Sequence, residues 1–268
     1  MIYPILKAIG SDYTIGVVTY VKRFETYFKP LVLALEKYFP NVEKNYVLNG
    51  FYDPEIQAEY LKKAKDFLKQ TSASNVVAYE KSESLSKCWN QLVLHSNHSK
   101  ILILNDDVLI RLLFRPFFES QMWMFENGVV NRSWSHSWFS KKTIREVGWF
   151  DERFPAIGME DMDYGLRLAL QKKQEGVEVM HQHNIFCFGV TNIIAGNTDP
   201  GWKKDSKIVN NAFAQSNKDY FDKKWETSNH PLNGGVRLQK EYFKIRTGME
   251  TPEFYDFSLL DNPLKSPL

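Results

Sequence analysis

Ile101-Leu102-Ile103-Leu104-Asn105-Asp106-Asp107 is the stretch on which the fold turns. Consecutive apolar residues behind a lysine read as a strand buried on both faces, and such strands belong to parallel sheets covered by helices. The strand runs straight into two carboxylates. In open α/β sheets ligands bind beyond the carboxyl ends of the strands. Paired acids at that place suit a hard divalent cation and, through it, phosphate oxygens. The same Asn-Asp-Asp also suits a turn that caps the next element, and the pattern alone leaves both readings open.

Upstream of this strand, short apolar runs recur at 14–20, 45–48 and 75–79. Between them, helical spacing of apolar residues covers 25–39, 54–70 and 85–96, and Pro40 and Asn41 stop the first of these helices. Strands alternating with helices predict a wound, mostly parallel sheet flanked by helices, with right-handed crossovers. Downstream the pattern loosens. Residues 108–125 read as mostly helical with a break near Pro116, 128–138 as a strand, and 141–147 as a short helix ending at Gly148. Residues 161–174 read as a helix stopped by Gly176, 177–189 as a strand, 191–205 as a loop and 207–226 as a helix. The expected organisation is one α/β domain over 1–226, with a C-terminal extension over 227–268 packed on it.

Bulk composition narrows the class. The 268 residues are 43% hydrophobic and 25% charged, with a formal net charge of +2. That balance is ordinary for a globular protein and gives no field that would draw nucleic acid. Cys88 and Cys187 are the two cysteines, and they lack metal-type spacing, so a reducing compartment is the expectation. No apolar run approaches a bilayer's thickness, and the first residues carry no cleavage signal. A cytoplasmic protein is expected, with docking at a membrane through a partner left open. Aromatic residues make up 15% of the chain and include seven Trp, which fits either a large core or stacking surfaces.

A second acidic group lies at Gly148-Trp149-Phe150-Asp151-Glu152-Arg153-Phe154 and Gly158-Met159-Glu160-Asp161-Met162-Asp163. A carboxylate near a cation site can serve as general base toward a hydroxyl. Acids at a helix start also favour the helix dipole, which is reason enough for them to be there.

Taken together, the wound sheet, Asn105-Asp106-Asp107, the Gly-Trp-Phe-Asp-Glu stretch and Glu160-Asp161-Met162-Asp163 resemble the family 2 glycosyltransferases of the GT-A fold, the fold of nucleotide-diphospho-sugar transferases. Tyr220-Phe221-Asp222-Lys223-Lys224-Trp225 is similar to the Phe-x-x-Lys-Trp segment that often closes those domains. The resemblance spans residues 14–226. It implies an inverting enzyme that moves a sugar from a nucleoside-diphosphate donor, such as a UDP-, GDP- or dTDP-sugar, to a glycan or glycolipid acceptor. Surface-polysaccharide or glycan assembly is the implied setting.

By the same resemblance Asp107 holds Mn²⁺ or Mg²⁺ against the donor diphosphate, and Asp106 lies near the ribose or sugar. Asn105 stands where the motif's first acid is usual, which leaves the metal fewer carboxylates. Thr19, Tyr20 and Arg23 correspond to the base-binding loop. Asn49 falls where many members carry an Asp that contacts the base, so the nucleotide stays open. Asn90 matches an Asn of the donor site. Asp161 corresponds to the catalytic base and Glu160 to a residue that orients the acceptor, while Asp163 starts the helix in a structural role. A late histidine near the metal is common in the family, and His183 and His181 lie in that region. Trp134 and Trp149 are the expected acceptor-stacking rings, and Phe150 and Phe154 are expected in the core. Trp202 lies on a loop that suits either a lid or ordinary surface. A sugar-1-phosphate nucleotidyltransferase is the first alternative, but Val21-Lys22-Arg23-Phe24 lacks the glycine-rich loop such an enzyme needs. A catalytically inactive carbohydrate-binding relative is the second.

Overall fold

The computed structural model describes residues 12–155, 157–171, 183–193, 215–225 and 244–268. β1 (Tyr13–Thr19) leads into a helical run with a first turn at Val21–Arg23, a π turn at Phe24–Phe28 and helix α1 (Lys29–Tyr38). β2 (Glu43–Leu48), α2 (Pro54–Leu68), β3 (Asn75–Ala78), α3 (Leu85–Leu94) and β4 (Lys100–Asn105) follow. Asp53 caps α2 by accepting from the Glu55 and Ile56 amides, and Pro54 opens the helix. Ser84 caps α3 in the same way.

β1 to β4 are mutually parallel, as the alternating pattern predicts, in the order β3-β2-β1-β4. The chain winds outward from β1 to β3 and then returns to the other side of β1. This reversal makes the C-terminal ends of β1 and β4 the switch point of the sheet, where open α/β folds place their ligands. On β4, Leu102 and Leu104 face one layer while Ile101 and Ile103 face the other, because side chains alternate along a strand. All four are at most 3% exposed, which accounts for the unbroken apolar run. The first layer holds the 24–39 helical run and α2, and the second holds α3. Gly16 lets α3 approach closely: a Cβ there would lie 2.8 Å from Leu92 Cδ1.

The second half departs from expectation. Residues 108–125 are mostly helical, as α4 (Phe114–Gln121) and a 3₁₀ turn at Met122–Met124, but Val108–Ile110 form a strand, β5, and Pro116 lies in the first turn of α4 instead of at a break. β5 pairs antiparallel with β9 (Val190–Asn192), a long-range contact that its apolar composition alone does not distinguish from a helix. The predicted strand over 128–138 is a hairpin, β6 (Asn127–Val130) and β7 (Ser133–Ser140). Its two turn residues, Asn131 and Arg132, have φ of 51° and 59°, the left-handed pair that a tight hairpin requires. Asn131 tolerates that region and also fixes the chain alongside, since its amide group exchanges two hydrogen bonds with the Cys187 backbone. β7 lies antiparallel beside β4, and β6 pairs with β8 (Asn184–Ile185), completing the order β3-β2-β1-β4-β7-β6-β8.

α5 (Lys141–Val147) and α6 (Glu160–Gln171) lie with α3 on the second layer, and residues 215–225 form a helix, α7. The C-terminal residues 244–268 run along this side of the molecule. At the β3 edge the Ser266 carbonyl accepts from the Val76 amide and the Ser266 amide donates to the Asn75 side-chain oxygen, and Leu264 N donates to Leu94 O at the end of α3. No helix among the described residues is long and apolar enough to cross a membrane. Both cysteines are free and buried.

Candidate functional site

The switch point gathers the first acid group. Thr19, the last residue of β1, donates from Oγ1 to Asp106 Oδ2 at 2.7 Å. Arg23, on the helical turn that follows, places Nε 2.8 Å from Asp106 Oδ1 and Nη2 3.1 Å from Asp107 Oδ2. Both aspartates are buried. Burial pushes the Asp106 carboxyl up to about 6, against the opposing charge of Arg23 and the hydrogen bond from Thr19. Asp107 is pinned at its backbone, where its carbonyl accepts from the Ile193 amide just beyond β9. Its Oδ1 is buried with no hydrogen-bond partner.

Around this pair lies a polar rim that the sequence reading missed. Asn105 donates to Ser135 Oγ, and Asn192 donates to Ser133 Oγ and Ser135 Oγ. Serines at 133, 135 and 137, alternating along a strand beside β4, were the legible signal. His136 is also on β7, opposite Leu104, and is 2% exposed. Burial pushes its imidazole down, and the charge of Asp107 opposes that shift.

An implied divalent cation can be tested against these residues. Asp107 offers an unpartnered, anionic, hard oxygen, which fits Mg²⁺ or Mn²⁺ chemistry. No group of three or more His, Cys, Asp and Glu gathers among the described residues. The share of a coordination shell that the described residues offer there is therefore small. His183 does not add to it: its ring stacks on Phe125 at 4.4 Å, and its segment borders β6. β6 and β7 separate that segment from β4, a lateral offset of roughly 14 Å at about 4.8 Å per strand step. His181 and Trp202 lie outside the described residues.

Two donor-site expectations take a different form. The Asn49 side chain accepts from the Gly50 and Glu83 amides and donates to Glu83 O. It thus ties together the loops beyond β2 and β3. Asn90 is fully buried, accepting from Phe150 N and donating to Phe150 O and Glu152 Oε1. Its amide latches the 149–152 turn onto α3. Both residues shape the walls of the region, with their side-chain groups engaged by protein. Tyr20 lies partly exposed between Thr19 and Arg23, and its carbonyl accepts from Arg23 N.

The second acid group sits at the start of α6. Tyr164, one turn in, stacks on Phe150 at 4.2 Å and meets Phe139 of β7 edge-on at 5.3 Å, which ties the helix to the sheet. Glu160 accepts from Gly158 N, and Asp161 accepts from Met162 N. Burial, together with the adjacent Asp161 charge, pushes the Glu160 carboxyl up to about 8, and burial also raises Asp161. Adjacent carboxylates resist ionising together, so this pair holds one proton to higher pH than an isolated carboxyl would.

Asp163 belongs to a separate buried network. Lys224 Nζ lies 2.7 Å from Asp151 Oδ2 and 2.5 Å from Asp163 Oδ1, with all three side chains fully buried. Arg153 pairs with Asp151, Arg167 pairs with Asp163, and Trp225 Nε1 donates to Asp163 Oδ1. Burial alone would raise Asp151, but Arg153 and Lys224 outweigh it and hold that carboxyl well below the usual range. The Lys-Trp pair near the end of the 215–225 helix thereby locks the Asp151 turn to the α6 start.

Of the two expected stacking rings, Trp134 is half-buried at the start of β7, and its Nε1 is buried without a partner. Trp149 cannot present a ring face: it is fully buried, stacks on Phe257 at 5.6 Å, meets Tyr255 edge-on and donates from Nε1 to Tyr255 O. The C-terminal segment covers it. Phe150 and Phe154 are buried in the core, as expected.

The sequence matches no protein-family model and no curated protein. The chain is similar in fold to several solved structures. TarS from S. aureus is 12% identical with a TM-score of 0.47, over 82% of this chain and 46% of that one. The mannosyltransferase PcManGT from Pyrobaculum calidifontis, in complex with GDP-Man and Mn²⁺, is 13% identical with a TM-score of 0.45, over 66% of this chain and 56% of that one. TarS 1–349 in complex with UDP-GlcNAc is 12% identical with a TM-score of 0.45, over 74% of this chain and 65% of that one. The chain thus spans about half the length of the first two structures it resembles.

Proposed function

We propose that this chain is an inverting glycosyltransferase that moves a sugar from a nucleoside-diphosphate donor to a hydroxyl of a glycan or glycolipid acceptor. One observation carries the reading. At the switch point of a wound sheet, Asp106 and Asp107 are buried together, with one carboxylate oxygen left without a partner. Arg23 supplies one positive charge against these two carboxylates, so one net negative charge stays buried, and a divalent cation would complete the site.

Thr19 and Arg23 hold the acid pair in place. Mn²⁺ or Mg²⁺ held by Asp107 would stabilise the charge that develops on the diphosphate leaving group. Asp161 takes the proton from the acceptor hydroxyl as its oxygen attacks the anomeric carbon. The bond to the diphosphate breaks as the new glycosidic bond forms, the electron pair leaves on the diphosphate, and the configuration inverts. Glu160, beside Asp161 and also buried, orients the acceptor through a hydrogen bond with the proton that the carboxyl pair retains. Trp134 offers its half-buried ring to the apolar face of the acceptor sugar. The setting that fits such an enzyme is assembly of a polysaccharide or other glycan.

The test is thermal melting of the full chain with UDP, GDP or dTDP, each with and without Mn²⁺. A rise in melting temperature is expected for one nucleotide, and only with the metal present. If no nucleotide shifts the transition in any metal, the donor-site assignment is wrong.

A further inference from the structure

We propose that Arg23 is the resident counter-ion of Asp106 and Asp107, that a divalent cation exchanges with it, and that the released guanidinium then takes the donor's phosphate oxygens. The proposal rests on the donor-site reading above and adds a coupling between cation and diphosphate that the reading does not contain.

The geometry of the pair is the argument. Arg23 reaches both carboxylates at ion-pair distance, 2.8 Å and 3.1 Å. Yet its Nε and Nη2 are buried without a properly directed hydrogen bond, and so is Asp107 Oδ1. A well-made arginine–carboxylate contact is a fork of two parallel N–H···O bonds to one carboxylate. Here one guanidinium is stretched across carboxylates on successive residues, so charge is balanced while direction is not. A hard cation coordinates oxygen without any N–H direction to satisfy and suits that arrangement better.

The charges also count toward exchange. Two carboxylates and one guanidinium leave one net negative charge; two carboxylates and a divalent cation leave none. Both cations cannot occupy the same pair, because like charges at contact distance repel strongly. Arg23 has somewhere to go. It sits on the first helical turn after β1, its side chain is 14% exposed, and its guanidinium already lies 5.3 Å from the Tyr27 ring centre. Once freed, its planar fork matches a phosphate group.

Mn²⁺ binding to the full chain, read by electron paramagnetic resonance of free Mn²⁺ with and without UDP or GDP, tests this. In wild type, Mn²⁺ alone should bind weakly and the nucleotide should tighten it. Arg23→Gln should bind Mn²⁺ alone at least about fivefold more tightly, the lower end of ordinary coupling between sites, and should lose most of the nucleotide's effect. Arg23→Lys should resemble wild type toward Mn²⁺ alone, because the charge remains, but should lose part of the nucleotide's effect with the fork. Should Arg23→Gln fail to fold in metal-free buffer, Mn²⁺ should restore a cooperative melting transition; absence of that rescue overturns the proposal. If wild type binds Mn²⁺ and nucleotide while Arg23→Gln binds Mn²⁺ no more tightly, the exchange is refuted and the donor site stands. If wild type binds neither, the donor-site reading falls and takes this proposal with it.

Discussion

Asp163→Asn is the substitution whose cost the structure defines most closely. The carboxylate is fully buried and meets Lys224 Nζ at 2.5 Å, Arg167 Nε at 2.9 Å and Trp225 Nε1 at 2.9 Å. The amide is nearly isosteric, so no cavity opens and the effect is electrostatic. The network holds Asp151, Asp163, Lys224, Arg153 and Arg167, two acids against three bases, for a net charge of +1. Removing the Asp163 charge leaves three cations facing one anion, a net +2. Removing the lysine, as in Lys224→Met, leaves two of each and no net charge. Breaking a buried pair by deleting one partner costs about 3–5 kcal/mol. Asp163→Asn belongs near the middle of that range or above, about 4 kcal/mol, and Lys224→Met at or just below the lower end, about 2–3 kcal/mol, because its carboxylates keep their arginines. For a chain of this size each kcal/mol moves the melting temperature by about 2–4 °C, so Asp163→Asn should fall by roughly 8 °C or more. Urea titration followed by tryptophan fluorescence, alongside thermal melts, gives both numbers. The double variant returns the network to +1 and should cost at least about 1 kcal/mol less than the sum of the singles. Equal costs for the two single variants, or simple additivity, would show that net charge does not govern this network.

Asp161→Asn should lower transfer by at least about a hundredfold while leaving the nucleotide-induced melting shift intact, since it removes a proton acceptor and not a donor contact; loss of the shift would place Asp161 elsewhere. Glu160→Gln should change the pH dependence of stability. The raised Glu160 pKa means the unfolded chain releases that proton first, so the wild type loses stability as pH rises from the ordinary glutamate range to about 8. The glutamine variant should therefore melt progressively higher than wild type between pH 5 and about 8, and parallel curves would contradict the assignment. Trp149→Ala should cost about 3–5 kcal/mol, as for other buried aromatic truncations, with no change in acceptor KM among the molecules that stay folded. A selective rise in KM would return Trp149 to the acceptor site.

Much of the first half was legible because local pattern and tertiary role agree there. The apolar run at 101–104 is buried on both faces, and the helices expected over 54–70 and 85–96 form at Pro54–Leu68 and Leu85–Leu94. The second half was harder because its elements are defined by distant partners. Val108–Ile110 is a strand through its pairing with Val190–Asn192, and 128–138 divides into two strands at two left-handed turn residues. Asn49 and Asn90 illustrate the same limit at single positions. A polar residue at a motif position shows that an amide is needed, and only the surrounding backbone shows whether it holds a ligand or a loop.

By itself the sequence determined the wound parallel sheet and the end of it that carries the acids, because a strand's burial and the turn after it are written in consecutive residues. The tertiary structure alone decided that Arg23 stands between Asp106 and Asp107, that Trp149 lies under the C-terminal segment, and that His183 is strands away from the acid pair. Those facts depend on which surfaces meet across long stretches of chain, and residue order constrains such meetings only through the packing of the whole.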